Sequence, residues 1–94
     1  MEIVLKENGG KGFAMARENN KRAGMMTYSI AGPELIIVDH TEVEPEFNGS
    51  GVGKQMLYTI VEMAREKSIK IIPLCPFAAS VFKKSDDIKN VLKA

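Results

Sequence analysis

The chain has 94 residues, 13 Lys and Arg against 12 Asp and Glu, a net charge of +1 and a hydrophobic content of 45%. Size scaling gives such a chain roughly 5,400 Å² of folded surface against roughly 15,000 Å² unfolded, enough burial for one core and no second, so residues 1–94 are expected to form one domain. The near-neutral charge excludes the basic footprint of a dedicated nucleic-acid binder, and the hydrophobic content excludes a disordered segment.

The first part of the chain reads as strands. Ile3, Val4 and Leu5 form a short apolar segment ending at Asn8-Gly9-Gly10, residues that favour the positive φ angles of a tight hairpin. Phe13, Met15 and Arg17 alternate with Ala14 and Ala16 in a second strand, which stops at Asn19-Asn20. A third strand runs from about Arg22 to Ile30, with Met26, Tyr28 and Ile30 on one face, and Ala31-Gly32-Pro33 breaks it. Glu34 to Val43, rich in Ile and Val, supplies a fourth. Short turns between successive strands favour an antiparallel meander.

After Val43 the period changes. Val52, Met56, Ile60, Met63, Ala64 and Lys67 recur at three- and four-residue steps, which predicts a helix from about Gly51 to Lys67. Ile69 to Leu74 form a fifth strand with β-branched residues. Pro76 suits the first position of a helix whose apolar side carries Phe77, Val81 and Phe82. Ser85 before Asp86 and Asp87 reads as the N-cap of a last short helix. The expected architecture is α+β: a mixed, mostly antiparallel sheet of about five strands, a main helix after strand four, and one or two short C-terminal helices. Strand four, the long helix and strand five form one crossover unit, expected to be right-handed. The six methionines are expected to fill the core.

No apolar run approaches the roughly 18 residues of a membrane span. Met1 to Glu7 lacks the apolar stretch of a signal peptide, so a cytoplasmic chain is expected. A single cysteine excludes an intrachain disulfide, and one histidine besides leaves no ligand set for a structural metal.

Between the fourth strand and the long helix lies Glu46-Phe47-Asn48-Gly49-Ser50-Gly51-Val52-Gly53-Lys54. Glycines let a backbone approach a ligand closely, and the first turn of a helix offers free N–H groups at the positive end of its dipole, a combination that binds phosphate. Two known phosphate loops do not fit. A Walker loop needs glycine at the place of Asn48 and Ser or Thr at the place of Gln55, and a dinucleotide fingerprint needs wider spacing than Gly49, Gly51 and Gly53 provide. A plain connecting turn without a ligand is the other reading.

Three residues outside the turn are candidates for chemistry. Cys75, in Pro73-Leu74-Cys75-Pro76-Phe77, stands where a helix N-terminus would favour its thiolate. It reads either as a nucleophile, acid or positioning group, or as a small buried apolar residue. Alternation in Val38-Asp39-His40-Thr41-Glu42-Val43 puts His40 and Glu42 on one face, and Asp39 and Thr41 on the other. His40 could relay a proton from an ammonium group, and Glu42 could do so through water; a solvated strand end is the alternative for both.

The segments Asp39-His40-Thr41-Glu42-Val43, Asn48-Gly49-Ser50-Gly51-Val52-Gly53-Lys54 and Pro73-Leu74-Cys75-Pro76-Phe77, in that order, resemble the small single-domain branch of the GNAT superfamily of N-acetyltransferases. The resemblance covers about residues 20 to 84. It implies a fourth strand that splays from the fifth to receive the pantetheine arm of acetyl-CoA. Val43 then supplies backbone contacts to that arm, the turn at residues 48–53 holds the pyrophosphate through its amides, and Gly49, Gly51, Gly53 and Lys54 face the phosphates. Cys75 falls near the thioester, with His40 at a position where the branch also has histidine. The chain departs from the superfamily in having Asn48 in place of Arg or Gln and no tyrosine in the helix after Cys75. The segment Lys83-Lys84-Ser85-Asp86-Asp87 departs too, and 94 residues are expected to be too few for the extra helices that usually wall the acceptor site. The implied activity is transfer of acetyl from acetyl-CoA to a small or protein-borne amine, with a non-catalytic acyl-CoA-binding module as the alternative.

Overall fold

Two short turns set the register of the first three strands. In this computed structural model, which describes residues 1–93, β1 (Glu2–Asn8) and β2 (Lys11–Glu18) are joined by Gly9-Gly10, with Gly9 at φ +67°. Asn19 and Asn20, at φ +51° and +66°, turn β2 into β3 (Lys21–Gly32) in the same way. β4 (Leu35–Val43) completes the antiparallel meander, and α1 (Val52–Lys67) carries the chain over to β5 (Lys70–Pro73), which pairs parallel to β4. The five-stranded sheet has the order β1-β2-β3-β4-β5. The last helix, α2 (Pro76–Lys84), is followed by a 3-10 segment at Asp86–Val91.

The expected α+β architecture is therefore present, and the boundaries shift by small amounts. β3 continues through Gly32, where Gly32 faces Leu35. The final short helix is 3-10 rather than α, and Ser85 makes no side-chain capping bond. Leu92 bridges Ile71 in parallel, and the Lys93 amide donates to the Ile71 carbonyl at 2.9 Å, so the end of the described chain lies against the outer edge of β5.

One face of the sheet is buried under α1. Ala14, Ala16 and Ala23 keep that face shallow, and Val52, Met56, Leu57, Ile60 and Val61 pack onto it together with Met26, Tyr28, Ile36 and Val38. Total exposed surface is 5524 Å², close to the size-scaling value of roughly 5,400 Å². Met26, Met56 and Met63 are buried, as expected of core filler, but Met15 and Met25 lie half-buried on the face away from α1. Tyr28 is fully buried and donates to a Glu7 carboxylate oxygen at 2.7 Å. Burial, and then that hydrogen bond, raise its hydroxyl pKa far above the ordinary tyrosine value.

Candidate functional site

The sheet opens at its β4–β5 boundary. Leu35–Val38 pair with Lys70–Pro73, after which β5 ends while β4 runs on to Val43. The amides of Leu74 and Cys75 both donate to the Val38 carbonyl, at 3.1 and 3.0 Å, and form the last backbone link between the two sides. Prolines at 73 and 76 flank this point and remove two donors that a continuing strand would need. Beyond Val38, β4 keeps only β3 as a sheet neighbour among the described residues.

The glycine-rich turn stands beside this opening. Pro45–Phe47 form a single 3-10 turn, and the Asn48 and Ser50 amides donate back into it, to Pro45 and Phe47 at 3.2 Å each. Those two residues shape the turn. Gly49 and Gly51 then adopt φ +82° and +78°, and a Cβ on either would meet nothing within 4 Å, so the outer side of the turn is open. Helix α1 starts from Gly51 with no side-chain cap, and its first ladder bond runs from Gln55 to Gly51 at 3.0 Å. The amides of Val52, Gly53 and Lys54 therefore precede the helical ladder. Val52 anchors the start of the helix in the core, and the Lys54 ammonium lies 5.5 Å from the centroid of the Tyr58 ring. Gly53 allows a close approach: a Cβ there would sit 2.6 Å from the Phe77 ring at the start of α2.

The three candidates for chemistry divide between the two faces of the sheet. Cys75 is 4% exposed on the α1 side, and its Sγ lies 3.1 Å from the Thr41 hydroxyl across the opening. His40 and Glu42 are exposed on the opposite face, beside Thr27 and Met25. Arg22 holds Glu42 at 3.0 Å and Glu44 at 3.6 Å. No hydrogen bond joins any two of Cys75, His40 and Glu42 among the described residues.

Simple alternation misplaces one residue here. Thr27 faces His40 and Tyr28 faces Val38, so Asp39 is an extra residue in β4. Its carboxylate accepts from Ser29 at 2.8 Å and meets Lys11 at 3.6 Å, which puts it on the same outer face as His40 rather than beside Thr41. Thr41 and Val43 face α1, where Val43 packs against the core. Two residues of the site lie inside the quoted segments but had no role assigned from sequence: Thr41, the partner of Cys75, and Phe77, the neighbour of Gly53. The third glycine of the turn was the one signal for Phe77, because a glycine inside a helix often marks a close approach.

A cavity of about 530 Å³ on another flank of α2 is lined by Pro73, Pro76, Ala79, Phe82, Lys83 and Leu92, and none of the candidate residues faces it. Among the described residues no cluster of His, Cys, Asp and Glu is placed to hold a metal ion, and no helix is long and apolar enough to cross a membrane.

The family model described as GCN5-related N-acetyl-transferase matches residues 12–91. This chain belongs to the GCN5-related N-acetyltransferase family. The family consists of acyltransferases, and the end of the β4–β5 ladder and the glycine turn lie inside the matched region. A GCN5-like protein from Staphylococcus aureus, solved by NMR, is 36% identical, superposes with a TM-score of 0.71, and matches 97% of this chain and 88% of its own. The ribosomal-protein-alanine N-acetyltransferase from Brucella melitensis biovar Abortus 2308 shares the fold at 18% identity and a TM-score of 0.71, over 93% of this chain and 64% of its own. AAC(6′)-Iy, solved with the bisubstrate analogue CoA-S-monomethyl-acetylneamine, shares the fold at 13% identity and a TM-score of 0.60, over 93% of this chain and 65% of its own. The chain thus spans less than two thirds of the length of these two enzymes. No curated protein matches the chain.

Proposed function

We propose that this protein transfers an acetyl group from acetyl-CoA to an amine by direct attack of the amine on the thioester. One observation carries the reading: β4 parts from β5 directly beside an uncapped helix start built from left-handed glycines. The diphosphate of the coenzyme rests against the free amides of Gly49, Gly51, Val52, Gly53 and Lys54, with Asn48 and Ser50 fixing the turn. The exposed ammonium of Lys54 adds positive charge beside it. The pantetheine arm pairs with the backbone of β4 towards Val43, taking the place of the missing strand.

The two faces then divide the proton chemistry. The amine enters from the outer face, where His40, or Glu42 through water, takes its proton. Its lone pair forms the C–N bond, the carbonyl electrons move to oxygen, and a β4 amide facing the opening stabilises the oxyanion by about 3 kcal/mol. The C–S bond breaks as the carbonyl re-forms, the departing CoA thiolate receives a proton from Cys75 on the α1 side, and the second proton leaving the acylated nitrogen passes through water to restore the Cys75 thiol. An N-acetyl amine and coenzyme A result. The bisubstrate complex of AAC(6′)-Iy and the alanine acceptor named for the Brucella enzyme support an amine acceptor.

The test is CoA release from acetyl-CoA in the presence of an amine panel that includes a peptide with N-terminal alanine and the aminoglycoside sisomicin. Turnover that drops sharply in Cys75→Ala and in His40→Ala supports the proposal. The second reading, a module that binds acyl-CoA without turnover, is favoured by the hold of Arg22 on Glu42 and by the separation of Cys75 from both outer-face groups. Tight binding without turnover on any acceptor would select it. Calorimetry that registers no association with coenzyme A would remove both.

A further inference from the structure

Strand β1 forms one edge of the sheet, with β2 as its only neighbour among the described residues. Its register with β2 is regular from Glu2 to Asn8, and it contains neither a bulge nor a proline, two of the devices that blunt an edge; its charged residues, a third such device, are of both signs. Ile3, Val4 and Leu5 in its middle are half-buried, and Glu2 and Lys6 are exposed. Neither Glu2 nor Lys6 has an ion-pair partner among the described residues.

Hydrogen-bond parity fixes which backbone groups of this edge are free. The first hairpin closes on Asn8 and Lys11 around two residues, and the closing pair of such a turn is hydrogen-bonded. Counting back in twos, Lys6, Val4 and Glu2 turn their backbone groups to β2, whereas Ile3, Leu5 and Glu7 turn theirs outward. The second hairpin gives the same answer. Its closure on Glu18 and Lys21 points Glu18 at β3, and so points Arg17, the partner of Glu2, at β1.

An antiparallel strand that is a second copy of β1 must set odd-numbered residues against odd-numbered ones to meet these free groups. Centring that pairing on Ile3 opposes Glu2 to Val4, and centring it on Leu5 opposes Val4 to Lys6. Centring it on Lys6 opposes two lysines. Centring it on Val4 opposes Glu2 to Lys6 twice, Ile3 to Leu5 twice, and Val4 to itself. This register alone matches charge with charge and apolar with apolar. Its opposed side chains stand about 4.5–5.5 Å apart at Cβ, close enough for opposite charges to attract and like charges to repel.

We propose that β1 is the contact surface of a twofold-symmetric dimer, in which two copies join at Val4 and their five-stranded sheets become continuous. The outward amides and carbonyls of Ile3 and Leu5 form the central hydrogen bonds, and reciprocal Glu2–Lys6 pairs flank them. This proposal is independent of the acetyl-transfer reading.

The experiment combines analytical ultracentrifugation with amide hydrogen exchange on the full chain. The wild type is expected to sediment as a dimer that weakens with salt, because the flanking charges are exposed. Glu2→Lys and Lys6→Glu should each sediment as monomers, and the double reversal should restore the dimer. In the wild type, protection of the Ile3 and Leu5 amides should rise with protein concentration, while Val4 and Lys6, bonded to β2, stay protected throughout. Protection at Val4 and Lys6 also reports that β1 remains folded in each variant. If a single variant loses it, the concentration dependence of Ile3 and Leu5 in the wild type decides. A wild type that stays monomeric at high concentration and low salt overturns the proposal. So does a dimer that survives both single reversals, or a folded double variant that stays monomeric.

Discussion

Helices α1 and α2 both begin at the opening between β4 and β5, but α1 starts from a left-handed glycine in an exposed turn, whereas α2 starts from buried Cys75 in extended backbone with Pro76 as its first residue. The start of α1 presents amides outward with no side chain competing for them, an arrangement suited to holding an anion. The start of α2 gives up one donor to proline and surrounds a thiol with packed atoms, an arrangement suited to fixing the position of one group. Affinity and turnover should therefore respond to different substitutions at these two starts.

The largest separation is expected from Gly51→Val. At φ +78° a β-branched residue costs about 1–2 kcal/mol of stability. The missing contacts within 4 Å mean that no clash adds to that cost. Calorimetry should show CoA affinity lowered about a hundredfold, near 3 kcal/mol, in a protein that still melts cooperatively. Unchanged affinity would place the diphosphate away from the turn.

Cys75→Ala should do the reverse. Its Kd for acetyl-CoA is expected to stay within about twofold of the wild type while kcat falls about a hundredfold, at the lower end for loss of a general acid. A variant with normal kcat would reduce Cys75 to a packing residue. Gly53→Ala probes the contact between the two helix starts. Its Cβ would press on the tip of the exposed Phe77 ring, which can give, so the cost in urea unfolding is expected at the lower end of about 1–3 kcal/mol. Adding Phe77→Ala should recover most of that cost; strict additivity would mean that the two starts are not coupled. The smallest effect belongs to Thr41→Val, which removes the hydroxyl partner of Cys75 and should cost about 1 kcal/mol by the same measurement.

Much of this arrangement was legible in the sequence. The apolar spacing from Val52 to Lys67 located α1 to within one residue, because a helix seated on a sheet must repeat its buried contacts every turn. Asn8-Gly9-Gly10 marked the first hairpin and Asn19-Asn20 the end of β2, because few other residues accept the backbone angles found there. The glycine turn stood out for the same reason. Other features depend on long-range packing that no local pattern encodes. β3 extends past Ile30 because Leu35 pairs with Gly32 and holds its end in the sheet. The Thr41–Cys75 contact joins residues that meet only after α1 has crossed the sheet. Asp39 was assigned to the wrong face because strict alternation has no place for an inserted residue.

That insertion works as a change of phase. Before it, even-numbered Ile36 and Val38 point under α1; after it, odd-numbered Thr41 and Val43 do. An uninterrupted alternation would have driven an imidazole and a carboxylate into the hydrophobic layer and turned a valine out to water. One surplus residue keeps both ionisable groups in contact with solvent, while the pairing of β3 with β4 continues on either side of it.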